Sequence, residues 1–278
     1  MSSSNSLDGP EIKRLGVFDS GLGGLTVLKE LLRRRPGHDY VYFGDTAHVP
    51  YGSRPADEVI HLVTVVSRYL VSQDCDGIIL ACNTTSALAL SALRATFDVP
   101  VVGVIETASR EAARVSDGSV AVLATPLTAQ SGVYAQKIIT QWKLQRKGSI
   151  PDVFEIGCPN LVPIVENQEL YTEKAEATLS KYADRIKKLG ADTLVLGCTH
   201  YPLLLPVLGP KLGDIKVVNP AELIPEYLSD SRNEEKGTLQ IRVSGDAESF
   251  EKRALAILET PLTVEHTHIG GMDRLTLR

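Results

Sequence analysis

Short apolar runs alternate with amphipathic helical patterns along most of the chain. The run 77–81 is continuously apolar, which is typical of a strand that is covered on both faces of a parallel sheet. The segments 57–72 and 171–189 follow the period of a helix with one apolar face. The pattern also predicts a helix over 86–97, a strand over 101–105 and a loop over 157–163. Because strands and helices that alternate with short connections form crossover units, the pattern predicts an α/β fold with mainly parallel sheets.

The alternating pattern contains an internal repeat. Residues 76–84 resemble residues 191–200: each segment has an acidic residue, an apolar run and a small residue, and then a cysteine with two polar residues after it. The strands that end at Asp19-Ser20 and at Thr125 form a second possible pair. Two buried strands can resemble each other by chance, but the shared cysteine position favours two related α/β halves. We therefore predict two pseudo-symmetric domains, formed by 12–101 with 218–278 and by 102–217.

Composition and charge exclude several classes of protein. The net charge of the 278 residues is −5, and the basic run 33–35 is short and is interpreted as a solvated helix end, so we expect no nucleic-acid partner. No run reaches the roughly 18 apolar residues of a membrane span, so we expect no membrane partner. The polar, Ser-rich residues 1–11 lack the apolar run of a signal peptide and are interpreted as a flexible tail. We therefore expect a cytoplasmic protein.

Two of the four cysteines, Cys82 and Cys198, occupy the repeated positions after apolar strands. Ligands of open parallel sheets bind beyond the carboxyl ends of the strands, where both cysteines are expected. The chain has no C-x-x-C pair, so we expect no structural metal site, and a disulfide is disfavoured in a reducing compartment. The cysteines are therefore either inert core thiols or reactive ones.

The position of the two thiols favours the reactive interpretation. A single buried cysteine is more often a small apolar residue of the core. Where a strand turns into a helix, however, the helix N-terminus lowers the thiol pKa from about 8.5, and such a thiol can remove and return a proton. Asp19 and Ser20, Asn83 and Thr84, and Thr199 and His200 follow strands in the same way. His200 is a candidate for tuning the nearby thiol.

Two glycine-containing segments leave alternatives open. The turn from Asp19 to Gly24 is either a tight structural bend or an anion site, since its amides precede a predicted helix. It lacks the Gly-Lys-Ser/Thr of a nucleotide-binding loop. Tyr51 and Gly52 follow Pro50 in a long loop, where the tyrosine caps the core or the glycine amide approaches a ligand.

Six segments in chain order resemble the glutamate racemases. They are Phe18-Asp19-Ser20-Gly21-Leu22-Gly23-Gly24-Leu25, Tyr42-Phe43-Gly44-Asp45, Val49-Pro50-Tyr51-Gly52, Ala81-Cys82-Asn83-Thr84, Gly103-Val104-Ile105-Glu106 and Leu196-Gly197-Cys198-Thr199-His200-Tyr201-Pro202. The resemblance extends from about Leu15 to Ser244-Gly245-Asp246 and so covers most of the chain.

The resemblance implies a fold, an activity and a set of residues. It implies two α/β domains with the active site in the cleft between them, and interconversion of L- and D-glutamate without a cofactor or metal, for peptidoglycan synthesis. Cys82 would act on the D-isomer and Cys198 on the L-isomer, and Asp19 and His200 would assist catalysis. The implied substrate-binding residues are Asp19, Ser20, Pro50, Tyr51, Gly52, Asn83, Thr84, Thr128, Glu166, Thr199 and His200. A homodimer is also expected.

Two departures from the family pattern concern the second half. Ala124-Thr125-Pro126 stands where the family often has Gly-Thr, which leaves open whether Thr125 or Thr128 reaches the ligand. Asn219 stands where an aspartate commonly follows the strand. Three other functions remain open: racemisation of aspartate or another acidic amino acid, non-catalytic amino-acid binding, and thiol redox chemistry.

Overall fold

The computed structural model describes residues 12–145, 148–228 and 236–272, which form two compact units. The first unit contains the described residues up to Val104 and from Ala221 onward, and the second contains Ile105–Pro220. The sequence-based domains change after residues 101 and 217. Within the described residues, no helix is long and apolar enough to cross a membrane.

The first unit is an α/β unit whose strands are all paired in parallel. The described strands follow the order β10-β9-β2-β1-β3-β4 across the sheet. Its elements are β1 (Arg14–Asp19), α1 (Leu25–Arg34), β2 (Asp39–Gly44), α2 (Ala56–Ser72), β3 (Gly77–Leu80), α3 (Asn83–Leu88), α4 (Leu90–Thr96) and β4 (Val101–Gly103), followed after the second unit by β9 (Leu239–Val243), α12 (Ala247–Leu258) and β10 (Val264–His266).

The second unit is also built around a parallel sheet, in the order β6-β5-β7-β8. Two helices, α5 (Val104–Val115) and α11 (Pro220–Leu223), each begin one residue before a boundary between the units. The elements between them are β5 (Ser119–Ala124), α6 (Pro126–Ser131), α7 (Val133–Gln145), β6 (Asp152–Gly157), α8 (Leu161–Glu166), α9 (Glu173–Lys188), β7 (Thr193–Gly197), α10 (Leu205–Leu212) and β8 (Lys216–Val218).

The two units share one strand order. In the first unit the second strand lies on one side of the first strand, and the third and then the fourth lie on its other side, in the order β2-β1-β3-β4. The order β6-β5-β7-β8 repeats this arrangement in the second unit. Cys82 follows β3 and Cys198 follows β7, so the two cysteines come after equivalent strands. The predicted α/β fold with mainly parallel sheets is confirmed.

The acidic residue of the repeat has the same structural role in both units. Asp76 precedes β3, and its Oδ2 accepts the backbone N–H groups of Lys13 and Arg14, at 2.9 Å each, at the start of β1. Asp192 precedes β7, and its Oδ2 accepts the N–H of Ser119 at 2.9 Å at the start of β5. In each unit an aspartate therefore ties the first strand to the third at their amino ends.

Several element boundaries differ from the sequence prediction. The strand predicted over 101–105 ends at Gly103, because α5 already begins at Val104. The segment 157–163 was expected to be a loop, but α8 begins at Leu161. Pro163 is compatible with this helix because its first turn has no intrahelical acceptor for the N–H that proline lacks. The helix predicted over 86–97 is two helices that meet at Ala89.

The long helix α9 shows how local chemistry sets its ends. The hydroxyl of Thr172 accepts the N–H of Ala175 at 3.2 Å and so caps the first turn. Glu173 and Glu176 lie in the first turn, whereas Arg185, Lys187 and Lys188 lie in the last. This charge distribution complements the helix dipole. The helix therefore begins at Glu173 rather than at Tyr171.

We expect Asp192→Ala to lower the free energy of unfolding by about 1–3 kcal/mol, because it removes the acceptor for Ser119 N–H and for the hydroxyls of Ser116 and Thr193. Burial raises the pKa of Asp192, but the hydroxyl and amide donors outweigh it and hold the pKa below 3.8. The stabilisation is therefore present above pH 3.8 and is lost as the pH falls through the lower folded-state value. Urea unfolding at several pH values measures it.

The matched control for this experiment is Asp117→Ala. Asp117 forms an exposed ion pair with Lys216 at 2.7 Å, on the same end of the sheet. Exposed ion pairs contribute about 1 kcal/mol or less. Equal destabilisation by the two variants would contradict the structural role assigned to Asp192.

Candidate active site

Cys82 is held at the junction between β3 and α3. It is the residue that caps the amino end of α3, with extended backbone angles, and its carbonyl accepts the N–H of Ser86 at 3.0 Å. The hydroxyl of Thr85 donates to the same carbonyl at 3.0 Å. The thiol is buried but not sealed, since 6% of the residue is exposed. The backbone thus fixes the sulfur at the carboxyl end of the strand.

The Asp19–Gly24 turn brings a hydroxyl to this thiol. The β1–β3 register pairs Phe18 with Leu80, and two residues further along the Ser20 Oγ lies 3.6 Å from the Cys82 Sγ. Asp19 is fully buried, and its Oδ2 accepts the N–H of Gly21 at 2.9 Å. A Cβ at position 24 would lie 2.3 Å from the Asp19 Cβ, so glycine is required there. The close packing makes this segment a tight structural bend.

Tyr51 begins a one-turn 3₁₀ helix, Tyr51–Ser53, within the long connection after β2. It is 2% exposed and lies between exposed Pro50 and half-buried Gly52. Its hydroxyl donates to Asp45 Oδ2 at 2.5 Å. Burial raises the pKa of Tyr51 well above 10, and the negative charges of Asp45 and Cys82 raise it further. The hydroxyl therefore stays protonated and acts as a donor.

Asn83 and Thr84 occupy the first two positions of α3. Both are almost completely buried, at 3% and 2% exposure. The first turn of a helix presents backbone N–H groups that have no intrahelical acceptor. These two residues, Ser20, Asp19 and the Cys82 thiol therefore lie at the same end of the first sheet, as the sequence predicted.

Cys198 lies at the corresponding end of the second sheet, directly after β7. It is 6% exposed, and its carbonyl accepts the N–H of Tyr201 at 3.0 Å. The helix expected immediately after it is instead a short 3₁₀ helix, Tyr201–Leu204, that starts three residues later. Cys198 is therefore not the capping residue of a helix.

His200 links Cys198 to Glu166. The His200 Nδ1 lies 3.8 Å from the Cys198 Sγ, and the Nε2 lies 2.5 Å from Glu166 Oε1. Glu166 is the last residue of α8, so the helix that follows β6 brings a carboxylate to the segment that follows β7. The family resemblance already named Glu166 as a site residue. The sequence did not indicate that Glu166 lies beside His200.

The electrostatics of this trio favour a protonated histidine. Burial by itself lowers the pKa of His200, but the hydrogen bonds and negative charges of Cys198 and Glu166 outweigh it and raise the pKa to about 10. An imidazolium beside the sulfur stabilises negative charge there, which is the state in which a thiol acts as a base. The arrangement therefore places a positively charged ring beside the Cys198 sulfur.

Thr125 and Thr128 are joined by a hydrogen bond of 2.9 Å between their hydroxyls. The β5–β7 register pairs Ala124 with Gly197, so the next residues along, Thr125 and Cys198, correspond to Ser20 and Cys82 in the first unit. Thr128 is fully buried, whereas Thr125 is half-buried. Thr199, between Cys198 and His200, is 7% exposed.

The other two cysteines have a different environment. Burial raises the pKa of Cys75 to about 11 and that of Cys158 to about 12. Both thiols therefore stay protonated near neutral pH, in keeping with inert core residues. Among the residues that the structure describes, no group of three or more His, Cys, Asp or Glu is arranged to hold a metal ion.

Known proteins resemble this chain over most of its length. The family model described as Asp/Glu/Hydantoin racemase matches residues 20–227. A glutamate racemase from Geobacter metallireducens is 44% identical over 212 residues, which are 76% of each chain. The crystal structure of glutamate racemase isoform RacE1 from Bacillus anthracis has a TM-score of 0.84 and 31% identity, and covers 92% of this chain and 98% of its own.

A second solved structure contains an amino acid. It is the glutamate racemase from Francisella tularensis in complex with D-glutamate. The TM-score is 0.81 and the identity 27%, over 94% of this chain and 98% of the other.

We expect Glu166→Gln to lower the pKa of His200 from about 10, because the substitution removes a negative charge while the burial that disfavours the imidazolium remains. Titration of the His200 ring followed by NMR measures the change. Glu169→Gln is the matched control, since Glu169 Oε1 accepts from Asn167 Nδ2 at 3.3 Å on the surface. An unchanged titration in the Glu166 variant would show that the carboxylate does not hold the proton on the ring.

Proposed function

Because the chain belongs to the Asp/Glu/hydantoin racemase family, we propose that it is a glutamate racemase that interconverts L- and D-glutamate, with Cys82 and Cys198 as its two acid–base groups. The observation that carries this proposal is the equivalent placement of the two thiols. Each follows the third strand of a four-strand parallel arrangement, and each has a hydroxyl-bearing residue at the matching position of the neighbouring strand.

The proposed reaction is a proton transfer through a carbanion. A thiolate removes the α-proton of glutamate and becomes a thiol, and the electron pair stays on the substrate as a carbanionic intermediate. The other thiol then gives its proton to the opposite face and becomes a thiolate, which inverts the stereocentre. Two bases are needed because a single base tends to return the proton to the face from which it came. In this proposal Cys82 acts on the D-isomer and Cys198 on the L-isomer.

The surrounding donors would stabilise the negative charge that develops on the substrate carboxylate. The residues proposed to bind the substrate are Asp19, Ser20, Pro50, Tyr51, Gly52, Asn83, Thr84, Thr128, Glu166, Thr199 and His200. Of these, His200 contacts both Glu166 and the Cys198 sulfur, so we propose that this pair also assists the Cys198 thiol. Exclusion of water would protect the carbanion from side reactions.

We expect Cys82→Ala and Cys198→Ala each to abolish racemisation, because each variant lacks one of the two proton carriers. Circular dichroism with either enantiomer measures the rate, and deuterium incorporation at Cα from heavy water should disappear as well. The control is Cys75→Ala, which removes another buried thiol and should retain the activity. Full turnover in either test variant would exclude the two-base mechanism.

The substrate class separates this proposal from its rivals. We expect glutamate to be turned over at least about 100-fold more efficiently than aspartate, since a site that pairs the distal carboxylate loses those contacts with a shorter side chain. Parallel assays of both amino acids measure the ratio. Aspartate turnover at or above that of glutamate would make the protein an aspartate racemase. Glutamate binding without proton exchange at Cα would indicate a binding protein. An activity that requires a reducible disulfide between two of the thiols would indicate a redox protein.

We propose that the reaction needs neither pyridoxal phosphate nor a metal, since the two thiols supply the acid and the base. Dialysis against EDTA and treatment with hydroxylamine, which traps pyridoxal phosphate, test this proposal. The activity should survive both treatments.

The proposed cellular role is supply of D-glutamate for peptidoglycan by a cytoplasmic homodimer. Complementation of a bacterium that requires external D-glutamate tests the role. Fractionation tests the location, and light scattering at several protein concentrations tests the dimer.

A further inference from the structure

Asp45 is a buried carboxylate that the proposed mechanism does not use. It follows β2 directly and is fully buried. Its Oδ1 lies 2.7 Å from His48 Nδ1 and accepts the Ser244 hydroxyl at 2.6 Å, and its Oδ2 accepts the Tyr51 hydroxyl at 2.5 Å. A buried carboxylate is tolerated only when such donors surround it, so this set of bonds is a constraint on the local structure.

The same residue contacts both segments that are proposed to bind substrate in the first unit. Its backbone N–H donates to the carbonyl of Asp19 at 3.0 Å, directly before Ser20. Its side chain holds Tyr51, which lies between Pro50 and Gly52. Ser20 in turn lies 3.6 Å from the Cys82 sulfur, and negative charge at Cys82 would raise the pKa of Tyr51. Asp45 therefore connects the two segments next to Cys82.

The segment that carries Asp45 is fastened to the end of β9. The N–H of Ala47 donates to the Ser244 hydroxyl at 3.0 Å, and the N–H of Ser244 donates to the carbonyl of Gly44 at 3.1 Å. The N–H of Gly245 donates to the Thr46 hydroxyl at 3.0 Å. Asp45 is thus held from one side by the sheet and holds Tyr51 on the other.

We propose that Asp45 is a positioning residue that fixes Tyr51, and through it the Pro50–Gly52 loop, beside Cys82. The inference rests on the proposed function for its kinetic consequence, but the loop ordering itself does not depend on the reaction. The negative carboxylate is required because it accepts on both oxygens at once. An asparagine has one acceptor oxygen, so either the Tyr51 side or the Ser244 and His48 side loses its acceptor.

The chain offers a matched control on the same strand. Asp39 is the first residue of β2, and its Oδ1 accepts the N–H and the hydroxyl of Thr238, at 2.6 Å each, just before β9. Asp39 and Asp45 therefore both tie β2 to the chain around β9, at opposite ends of the strand. Only Asp45 also holds a loop that contains proposed substrate-binding residues. Asp39→Asn separates a loss of strand anchoring from a loss of loop positioning.

The experiment compares Asp45→Asn, Asp39→Asn, Tyr51→Phe and the Asp45→Asn/Tyr51→Phe double variant. For Asp45→Asn we expect kcat/KM for glutamate to fall about 10-fold or more, the size expected for one lost hydrogen bond to a charged group, mainly through a higher KM. Amide hydrogen exchange of a peptide spanning 46–54 should accelerate in Asp45→Asn and in Tyr51→Phe. Asp39→Asn should stay within about twofold of the parent in both measurements, whatever its melting temperature.

The double variant tests whether the two side chains act as a unit. We expect its kcat/KM to match that of the more impaired single variant, because both substitutions break the same bond. Effects that multiply would overturn the proposal, as would equal losses in Asp39→Asn and Asp45→Asn or unchanged exchange over 46–54.

The failure of the proposed function is distinguishable from these outcomes. If the proposed function is wrong, the parent protein does not racemise glutamate. Amide hydrogen exchange over 46–54 still decides whether Asp45 positions the loop. If Asp45→Asn does not fold, Tyr51→Phe breaks the same contact from the other side and decides it alone.

Discussion

The parallel pairing between the first and third strands of each unit is the constraint on which the candidate site depends. The β1–β3 pairing brings Ser20 to the Cys82 sulfur, and the β5–β7 pairing gives Thr125 the corresponding position beside Cys198. A shift of one residue in either register would turn alternate side chains to the other face of the sheet. Asp76 and Asp192 fix both registers at the amino ends, far along the strands from the thiols.

On this repeated scaffold the two thiols have different neighbours. The Cys198 sulfur lies beside the His200 ring, whose raised pKa favours the imidazolium, and that ring contacts the Glu166 carboxylate. Cys82 has the hydroxyl of Ser20 and the amino end of α3. The negative charge of Glu166 compensates the imidazolium, whereas that of Asp45 is used to hold Tyr51. The two thiols therefore have different electrostatic surroundings.

The sequence predicted the fold well because its signals are periodic and local. The strand at 77–80 and the helix at 56–72 are visible from apolar patterning alone, and both cysteines lie at the strand ends that this patterning indicated. The start of α8 was missed because Pro163 is typical of loops, although it is equally acceptable in the first turn of a helix. The strand β10, three residues long, is too short to give a period.

The contacts within the site were less predictable than its members. Glu166 and His200 are separated by 34 positions, and no local pattern indicates that they form a hydrogen bond. The same is true of Asp45 and Ser244, which lie 199 positions apart. Such pairs depend on tertiary packing. Two signals draw attention to Asp45: an acidic residue directly after a buried strand, and its place in the segment Tyr42-Phe43-Gly44-Asp45.

Three aspartates of the first unit, Asp39, Asp45 and Asp76, have different partners at the two ends of the sheet. At the amino ends, Asp76 accepts backbone N–H groups, and Asp39 accepts a backbone N–H together with the hydroxyl of the same residue. At the carboxyl end, Asp45 accepts from the side chains of three residues in two segments. Acceptance of backbone groups fixes strand position, so it contributes to stability. Acceptance of side chains fixes their orientation, which is the property that a substrate-binding loop needs. In these three aspartates the same chemical group therefore anchors strands at one edge of the sheet and, in the proposed role of Asp45, orients a loop at the other.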